Sequence, residues 1–457
     1  MGTLKRFINK WGGIHGIRSS LTRKKIRRAQ QFAGAKPIES STKAVIRREL
    51  PALAQIEPDL MSDSRLFDGL DALPFTLSMP CNAVVERWRQ LWVQFGANTK
   101  HLVFVPWLVR GGADLAAVNV VKALQRRSGM DSVVIVATDY ADAPAADWLP
   151  DGTRFVRMMD TKTSLSLNET KMFVERLIWA LRPESVFNVN SRACWEAMAQ
   201  TGRPLSRMTR LNALLFCRDY SADGRAAGYS DTHFRAALPH LHRVYFDTRY
   251  FIQELTTQYG LPSDLGAKLH YLPQPSLGTP TTRSARSDTK RPRVLWAGRF
   301  TAQKNTELLM KIAYEGTAFD FDIWGSGLPE IEAQLRQLAA QRPNIRLRGT
   351  FASLDELPLT EYMAFLFTSH YEGMPTIILN IAASGLPIVA TTVGGVGEIV
   401  DDETGWPVAD RHDPQPYLAA LAHVATGTAT VRQKVEHLFK RLRQERSLEA
   451  FEQALSE

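Results

Sequence analysis

Two cations and a carboxylate stand at loop positions where they could hold a diphosphate and a sugar. Gly298-Arg299 directly follows a strand-like run, Val294 to Ala297, and Lys304 lies five residues on, at the start of the next helix. A guanidinium can fork onto two oxygens, an ammonium adds a point charge, and glycine lets the backbone come close. Surface Arg and Lys at loop–helix junctions are also common, so the clamp needs support from elsewhere. It comes from Glu372 to Thr391, EGMPTIILNIAASGLPIVAT, which reads as an acidic turn, a short helix, a glycine stop and a buried strand. Pro375 suits a first helical turn, so the helix begins near Thr376 and ends at Gly385. That order aims backbone N–H groups at an anionic ligand. Glu372 sits just before the helix, where a carboxylate can accept from sugar hydroxyls. Asn380 shares a partly apolar face with Ile377, Ile381 and Ser384, and needs a partner there, either backbone or a ligand hydroxyl.

Two glycine clusters complete the set. Gly394-Gly395-Val396-Gly397-Glu398 follows the strand of that run, and Gly111-Gly112 follows the first strand of the chain. Each suits close ligand approach, and each suits an ordinary tight turn. Other signals are weaker. Asp320 and Asp322 lie on one face of a strand, which favours a polar face or strand edge over a metal site. Gly325-Ser326-Gly327 lacks the third glycine of a dinucleotide fingerprint. There is no HExxH, GxSxG or GxxxxGK[ST] segment, so zinc hydrolysis, serine hydrolysis and P-loop chemistry are not expected.

The elements that must position these residues alternate in type. Strand-like runs are expected at 101–108, 133–138, 154–158, 185–189 and 211–217, with helical stretches between several of them. After a segment rich in Pro, Ser, Thr and charge, the alternation restarts at 294–297, 319–324, 345–348, 364–369 and 387–391. Helices are expected at Thr306 to Tyr314, with Asn305 as N-cap, and at Glu330 to Ala340. Strands separated by helices imply parallel pairing with right-handed crossovers. The expected fold class is therefore α/β, with two Rossmann-like domains facing a cleft and a basic N-terminal extension. The boundaries are 1–48 for a basic arm, 49–99 for a helical extension and 100–275 for an N-terminal Rossmann-like domain. A linker at 276–292, a second domain at 293–440 and a terminal helical segment at 441–457 complete the division.

The 457 residues carry a net charge of +9, and the arm alone carries +12, so the rest of the chain is slightly acidic. Residues 1–48 contain thirteen Lys/Arg and one acidic residue, Glu39. Phe7, Ile8, Trp11, Ile14 and Ile17 are interspersed among them. That mixture suits an anionic membrane surface, where each nearby cation adds roughly 1 kcal/mol. A solubilising tail and a nucleic-acid arm are the alternatives. No aromatic-interleaved basic groove continues beyond the arm, so no nucleic acid partner is expected. No run approaches the ~18 apolar residues of a spanning helix. Cys81, Cys194 and Cys217 lie far apart, which suits buried thiols in a reducing cytoplasm, with peripheral contact at the inner membrane face.

Taken in order, Gly298-Arg299 with Lys304, Trp324 to Gly327, Arg348-Gly349-Thr350, Glu372-Gly373-Met374-Pro375, Gly394 to Glu398 and Thr404 to Val408 resemble retaining glycosyltransferases of family 4. The resemblance is specific over residues 293–410. It is looser over 101–275, where Gly111-Gly112-Ala113-Asp114 has Asp in place of the family's Glu. It implies the GT-B fold and transfer of a sugar from a nucleotide diphosphate to a glycan or lipid-linked acceptor in cell-surface polysaccharide synthesis. It also implies that Arg299, Lys304, Gly111 and Gly112 would meet the departing diphosphate, without a metal or a cofactor. The backbone from Gly373 through Met374 and Pro375 to Thr376 would approach the phosphates, and Glu372 would bind the donor sugar. Asn380 takes the place of a second Glu that usually holds the ribose. Gly349, Thr350 and Glu398 belong to the sugar or nucleoside side. A catalytic group of the first half would follow its fifth strand, where Asp219 is the candidate. Leu448 to Leu455 would return to the first domain.

The electrostatic needs of such a transfer suit these residues, because charge builds on the leaving diphosphate opposite fixed cations and helix N-termini. A sugar-nucleotide or glycan binding protein of weak activity is the second reading, supported by Asn380 and Asp114. A nucleotide-sugar epimerase is a third, and would need a carboxylate and histidine set that is not found.

Overall fold

In the computed structural model the described residues are 44, 47–49, 51–52, 83–96, 98–140, 142–221, 224–276 and 291–456. The chain divides into two compact units, Met1–Val93 and Gln94–Glu457. In the first, the helix Ala83–Trp92 stacks Trp88 on Trp92 at 5.3 Å. The expectations for residues 1–43 of the basic arm, 53–82 of the helical extension and 277–290 of the linker lie outside the described residues.

The second unit holds two parallel sheets. In the first, β1 (His101–Val105), β2 (Val133–Ala137), β3 (Arg154–Arg157), β4 (Ser185–Val189), β5 (Arg210–Leu215), β6 (Arg243–Phe246) and β7 (Leu269–Tyr271) stand in the order 3-2-1-4-5-6-7. In the second, β8 (Arg293–Ala297), β9 (Asp320–Trp324), β10 (Ile345–Gly349), β11 (Ala364–Phe367), β12 (Ile388–Thr391) and β13 (Trp406–Val408) stand in the order 10-9-8-11-12-13. Every ladder is parallel. The central strands are mostly apolar because both faces are covered, so they read as near-continuous runs rather than alternating ones. This is a pair of Rossmann-like α/β domains. The strand order reverses between β1 and β4 and again between β8 and β11, and ligands of such sheets sit beyond the carboxyl ends at those points.

Helices carry the chain between strands: α1 (Gly112–Ser128), α2 (Leu167–Leu181), α3 (Arg192–Gln200) and α4 (Arg249–Tyr259) in the first domain, then α5 (Thr306–Glu315), α6 (Pro329–Gln341), α7 (Thr376–Ala383) and α8 (Gln415–Ala425) in the second. Asn305 caps α5 as expected: it adopts a left-handed φ of 49° and its side chain accepts from Leu308 N–H at 3.3 Å. Asn tolerates that conformation better than most residues. Of the apolar face read on α6, Leu335 is fully buried while Ile331 and Leu338 are partly covered. Three strands escaped the sequence reading, β6, β7 and β13. They are three or four residues long and β7 is only half-buried, so they leave little hydrophobic signature.

Two final helices close the molecule, α9 (Ala429–Glu445) and α10 (Leu448–Ser456). On α9, Leu438 and Leu442 pack with Ile378 and Leu379 of α7 in the core of the second domain. On α10, Phe451 and Leu455 enter the core of the first, beside Val105, Val121 and Tyr245. Each such fully buried side chain contributes about 1.5–3 kcal/mol. Glu452 adds an ion pair to Arg126 at 2.5 Å. Between the two helices lies Arg446, 1% exposed, which donates to Asp247 O at 3.2 Å and lies 5.4 Å from the Tyr271 ring centroid. The chain thus crosses between domains over a buried arginine.

Candidate active site

The second domain brings its site together at the β8–β11 reversal. Beyond β8, Arg299 is exposed and has no ion pair among the described residues. Lys304 ends a short turn, Ala302–Lys304, anchored by the Asn305 cap and by Thr368 Oγ1, which donates to Lys304 O at 2.8 Å. Its ammonium reaches the loop after β11, with Nζ 2.5 Å from Glu372 Oε1. Both side chains are mostly covered, Lys304 at 16% and Glu372 at 9% exposure. The pair orients both groups at the carboxyl end of the sheet. One carboxylate oxygen remains for a ligand hydroxyl.

Glycines set how close the surrounding backbones come. A Cβ on Gly394, at φ 53°, would stand 1.8 Å from Glu372 O, so only glycine lets this loop lie on the Glu372 turn. A Cβ on Gly373 would meet Phe216 O of the first domain at 2.3 Å. The domains are therefore in backbone contact immediately behind Glu372.

That contact changes the expected phosphate cradle. Gly373 N–H is directed at the Cys217 sulfur, and Met374 N–H donates to Asp247 Oδ2 at 3.0 Å. Pro375 has no N–H. Thr376 and, beyond it, Ile377 keep N–H groups with no hydrogen bond among the described residues. These are orphan donors of the first turn of α7. Opposite them, a Cβ on Gly112 would be 3.3 Å from Thr376 Cγ2. Gly111 is the N-cap of α1 and Gly112 its first residue. Two helix N-termini from different domains therefore approach each other at Gly112 and Thr376, four residues along the chain from the Lys304-paired Glu372. Each carries about half a positive charge from its aligned peptides, which favours an anion.

The remaining candidates separate into those that face this point and those that do not. Asn380 lies one turn along α7 from Thr376, is half-buried, and makes no side-chain hydrogen bond among the described residues. Asp114, in the first turn of α1, is 7% exposed, and burial pushes its carboxyl up to about 7. Gly349 and Thr350 are exposed at the end of β10. Glu398 is elsewhere than expected. Its Oε1 accepts from Tyr250 N–H at 2.8 Å and its Oε2 lies 3.6 Å from Arg446 Nη2, so it caps α4 and holds the interdomain arginine. Asp219 is exposed after β5. Its neighbour Tyr220 meets Tyr371 of the second domain edge to face at 5.1 Å. Between these tyrosines and Glu372 is a cavity of about 480 Å³, whose walls include Arg218, Tyr250, Gly394 and Arg411. Arg218 is engaged by Asp231 at 3.3 Å and Glu254 at 3.1 Å.

Asp320 and Asp322 are occupied by arginines. Asp322, fully buried, pairs with Arg293 and with Arg348 Nε at 3.2 Å, and accepts from Tyr362 Oη at 3.1 Å. Asp320 pairs with Arg346 at 3.1 Å. Gly298 N–H and Phe300 N–H donate to Trp324 O at 3.0 Å and Ser326 O at 2.8 Å, so the 325–327 turn is packed against the 298–300 loop.

Asp247 is the residue that sequence reasoning missed. It is 4% exposed at the end of β6, and burial pushes its carboxyl up to about 8, against the opposing pull of the Met374 N–H and of Arg446. No motif surrounds it, and a strand of four residues gave no reason to look there.

Comparison with known proteins agrees with this layout. Residues 291–426 match the family model described as glycosyl transferases group 1. Amylovoran biosynthesis glycosyltransferase AmsK of Erwinia amylovora is 28% identical over 155 residues, 30% of this chain and 37% of that protein. The putative colanic acid biosynthesis glycosyltransferase WcaL of Escherichia coli strain K12 is 28% identical over 205 residues, 39% of this chain and 50% of that protein. The chain therefore spans half or less of the length of these curated relatives. Among solved structures, Anabaena HepE in complex with UDP and glucose superposes with a TM-score of 0.60 at 15% identity, covering 78% of this chain and 98% of that one. The apo form of the lipopolysaccharide outer core galactosyltransferase WaaB gives 0.60 at 14% identity over the same shares. The chain has the two-domain architecture of GT-B glycosyltransferases, and its second domain is similar in sequence to glycosyl transferases group 1.

Proposed function

We propose that this protein is a retaining glycosyltransferase that moves a sugar from a nucleotide diphosphate to a glycan or lipid-linked acceptor in cell-surface polysaccharide synthesis. The observation that carries the reading is the convergence of the α1 and α7 N-termini at Gly112 and Thr376, with the Lys304–Glu372 pair on the loop that leads into α7. A diphosphate placed there meets unpaired N–H donors from two domains and two cations. Glu372 receives hydroxyls of the donor sugar, and Asn380 offers its amide to the ribose. The nucleoside lies toward Gly349 and Thr350. As the bond from the anomeric carbon to the diphosphate oxygen breaks, negative charge grows on the leaving group, where these donors stabilise it. The acceptor oxygen bonds on the same face, and its proton passes to the leaving phosphate. The residues need neither a cofactor nor a metal for these steps. Asp219, beside the tyrosine contact, is the acceptor-side candidate. The names of the amylovoran and colanic acid relatives support a polysaccharide acceptor, and the UDP-bound neighbour supports a nucleotide donor.

A thermal-shift panel of UDP-, GDP- and ADP-sugars tests the donor site, followed by turnover with each stabilising donor. At least one donor is expected to raise the melting temperature, and Arg299→Ala to abolish that rise. A panel without any stabilising donor would sink the reading. The second reading, donor binding without transfer, rests on the uncharged Asn380; stabilisation without turnover on any acceptor would favour it. The basic arm is proposed to hold the protein at the inner face of the membrane. Equal sedimentation with anionic vesicles by residues 49–457 and by the full chain would remove that role.

A further inference from the structure

The amino-terminal ends of β4 to β7, the end of the first sheet remote from the cleft, surround a second cavity of about 550 Å³. Ligands of doubly wound sheets bind at the opposite ends of the strands, so this cavity is separate from the site above. Its wall is basic. Arg207 and Arg210 lie at the entry to β5, His240 and His242 before β6, and Lys268 before β7. The one carboxylate in the wall, Glu184, is 3.5 Å from Lys100 Nζ.

Arg207, Arg210 and His242 are exposed, and Lys268 and Arg210 are tied to the backbone of the wall. Lys268 Nζ donates to Pro239 O at 2.8 Å and Leu238 O at 3.2 Å, leaving one of its three N–H donors. Arg210 Nε donates to Glu184 O at 3.4 Å. Both imidazoles are held below their ordinary pKa, first by burial and then by cations. For His240 these are Lys268 and Arg203, and for His242 Arg243, Arg210, His270 and Lys268. Cations that disfavour protonation of neighbouring imidazoles mark a positive potential that a bound anion would relieve. Thr209, 6% exposed, also lines the cavity, and its hydroxyl has no hydrogen-bond partner among the described residues. An orphan hydroxyl costs stability unless something satisfies it.

We propose that this cavity binds a phosphate-bearing anion, its oxygens held by Arg210, His242 and Lys268 with the Thr209 hydroxyl as a further donor. The same chemistry is presented by a soluble phosphorylated metabolite and by the headgroup of an anionic phospholipid. Both are tested on the full-length chain in physiological salt. Calorimetry with inorganic pyrophosphate is run in an Arg299→Ala background, which silences the donor site. Saturable binding of one equivalent is expected, weakened at least tenfold by adding Arg210→Glu with His242→Glu and retained by Arg210→Lys. The charge reversals are expected to leave the transfer rate and melting temperature of the otherwise wild-type chain unchanged. Flotation with phosphatidylglycerol vesicles then assigns the source. A several-fold loss on charge reversal identifies a lipid headgroup, and unchanged flotation with lost pyrophosphate binding identifies a soluble ligand. Charge reversal that alters neither pyrophosphate binding nor flotation overturns the proposal.

Discussion

The second domain contains two buried clusters of acid and base that look alike in composition and differ in use. Around Asp322, Arg293 and Arg348 ion-pair with one buried carboxylate and Tyr362 donates to it, across β8, β9 and β10. Around Glu372, a single lysine reaches one oxygen at the carboxyl end of the sheet, and Arg299 is exposed on the loop after β8. The first cluster has an arginine within ion-pairing distance of each carboxylate oxygen, and it ties neighbouring strands together. The second is open: among the described residues nothing pairs the other Glu372 oxygen, the Thr376 and Ile377 N–H groups of α7 or the Asn380 amide. Completeness of pairing, rather than the identity of the residues, separates a structural cluster from a binding one.

Removing Asp322 should break this contrast most sharply. Asp322→Ala removes the buried carboxylate from Arg293 and Arg348 and leaves Arg293 only the exposed Glu361, and a loss of about 3–5 kcal/mol in urea unfolding is expected. Lys304→Ala should instead lower initial transfer rates by roughly 10²–10³ while costing less stability than Asp322→Ala, since its main task is charge at the leaving group. If the two variants lost stability equally and Lys304→Ala kept its activity, both clusters would be structural.

Asp247 gives the interdomain counterpart. An acid that ionises less readily in the folded chain binds its proton more tightly there than in the unfolded chain. Its stabilising contribution is therefore complete below the ordinary value of 3.8 and is lost as pH rises through about 8. Unfolding midpoints of the wild type should fall across that window, by at most about 1.4 kcal/mol per pH unit from this group. Asp247→Asn keeps an oxygen for Met374 N–H and should flatten the slope. The smallest effect is expected at Asn380. Asn380→Glu offers a charged acceptor to a ribose hydroxyl and should tighten donor binding by about 1 kcal/mol, roughly fivefold in Kd by calorimetry. Unchanged affinity would place Asn380 outside the donor contact.

Much of the second domain was legible before its coordinates were. The Asn305 cap, the helix opening at Thr376 and the strands on either side of it are local events, governed by dihedral preference and hydrophobic period over a few residues. The first domain was less readable. Its later strands are short, and its contributions to the interdomain contact carry no motif. Glu398 shows the limit most plainly, since its place in a glycine-rich loop suggested the ligand, whereas its carboxylate turns to Tyr250 N–H and Arg446.

The order of strands and helices, the glycine turns and the cations at strand ends were determined by the sequence alone, because each depends on neighbours within a turn or two. Only the tertiary structure decided which groups meet. Asp247 finds Met374 across 127 positions and Arg446 across 199, and Gly112 reaches Thr376 from another domain. Such pairs are chosen by how two cores pack and by where the chain crosses between them. That packing leaves some N–H groups satisfied and others open to a ligand.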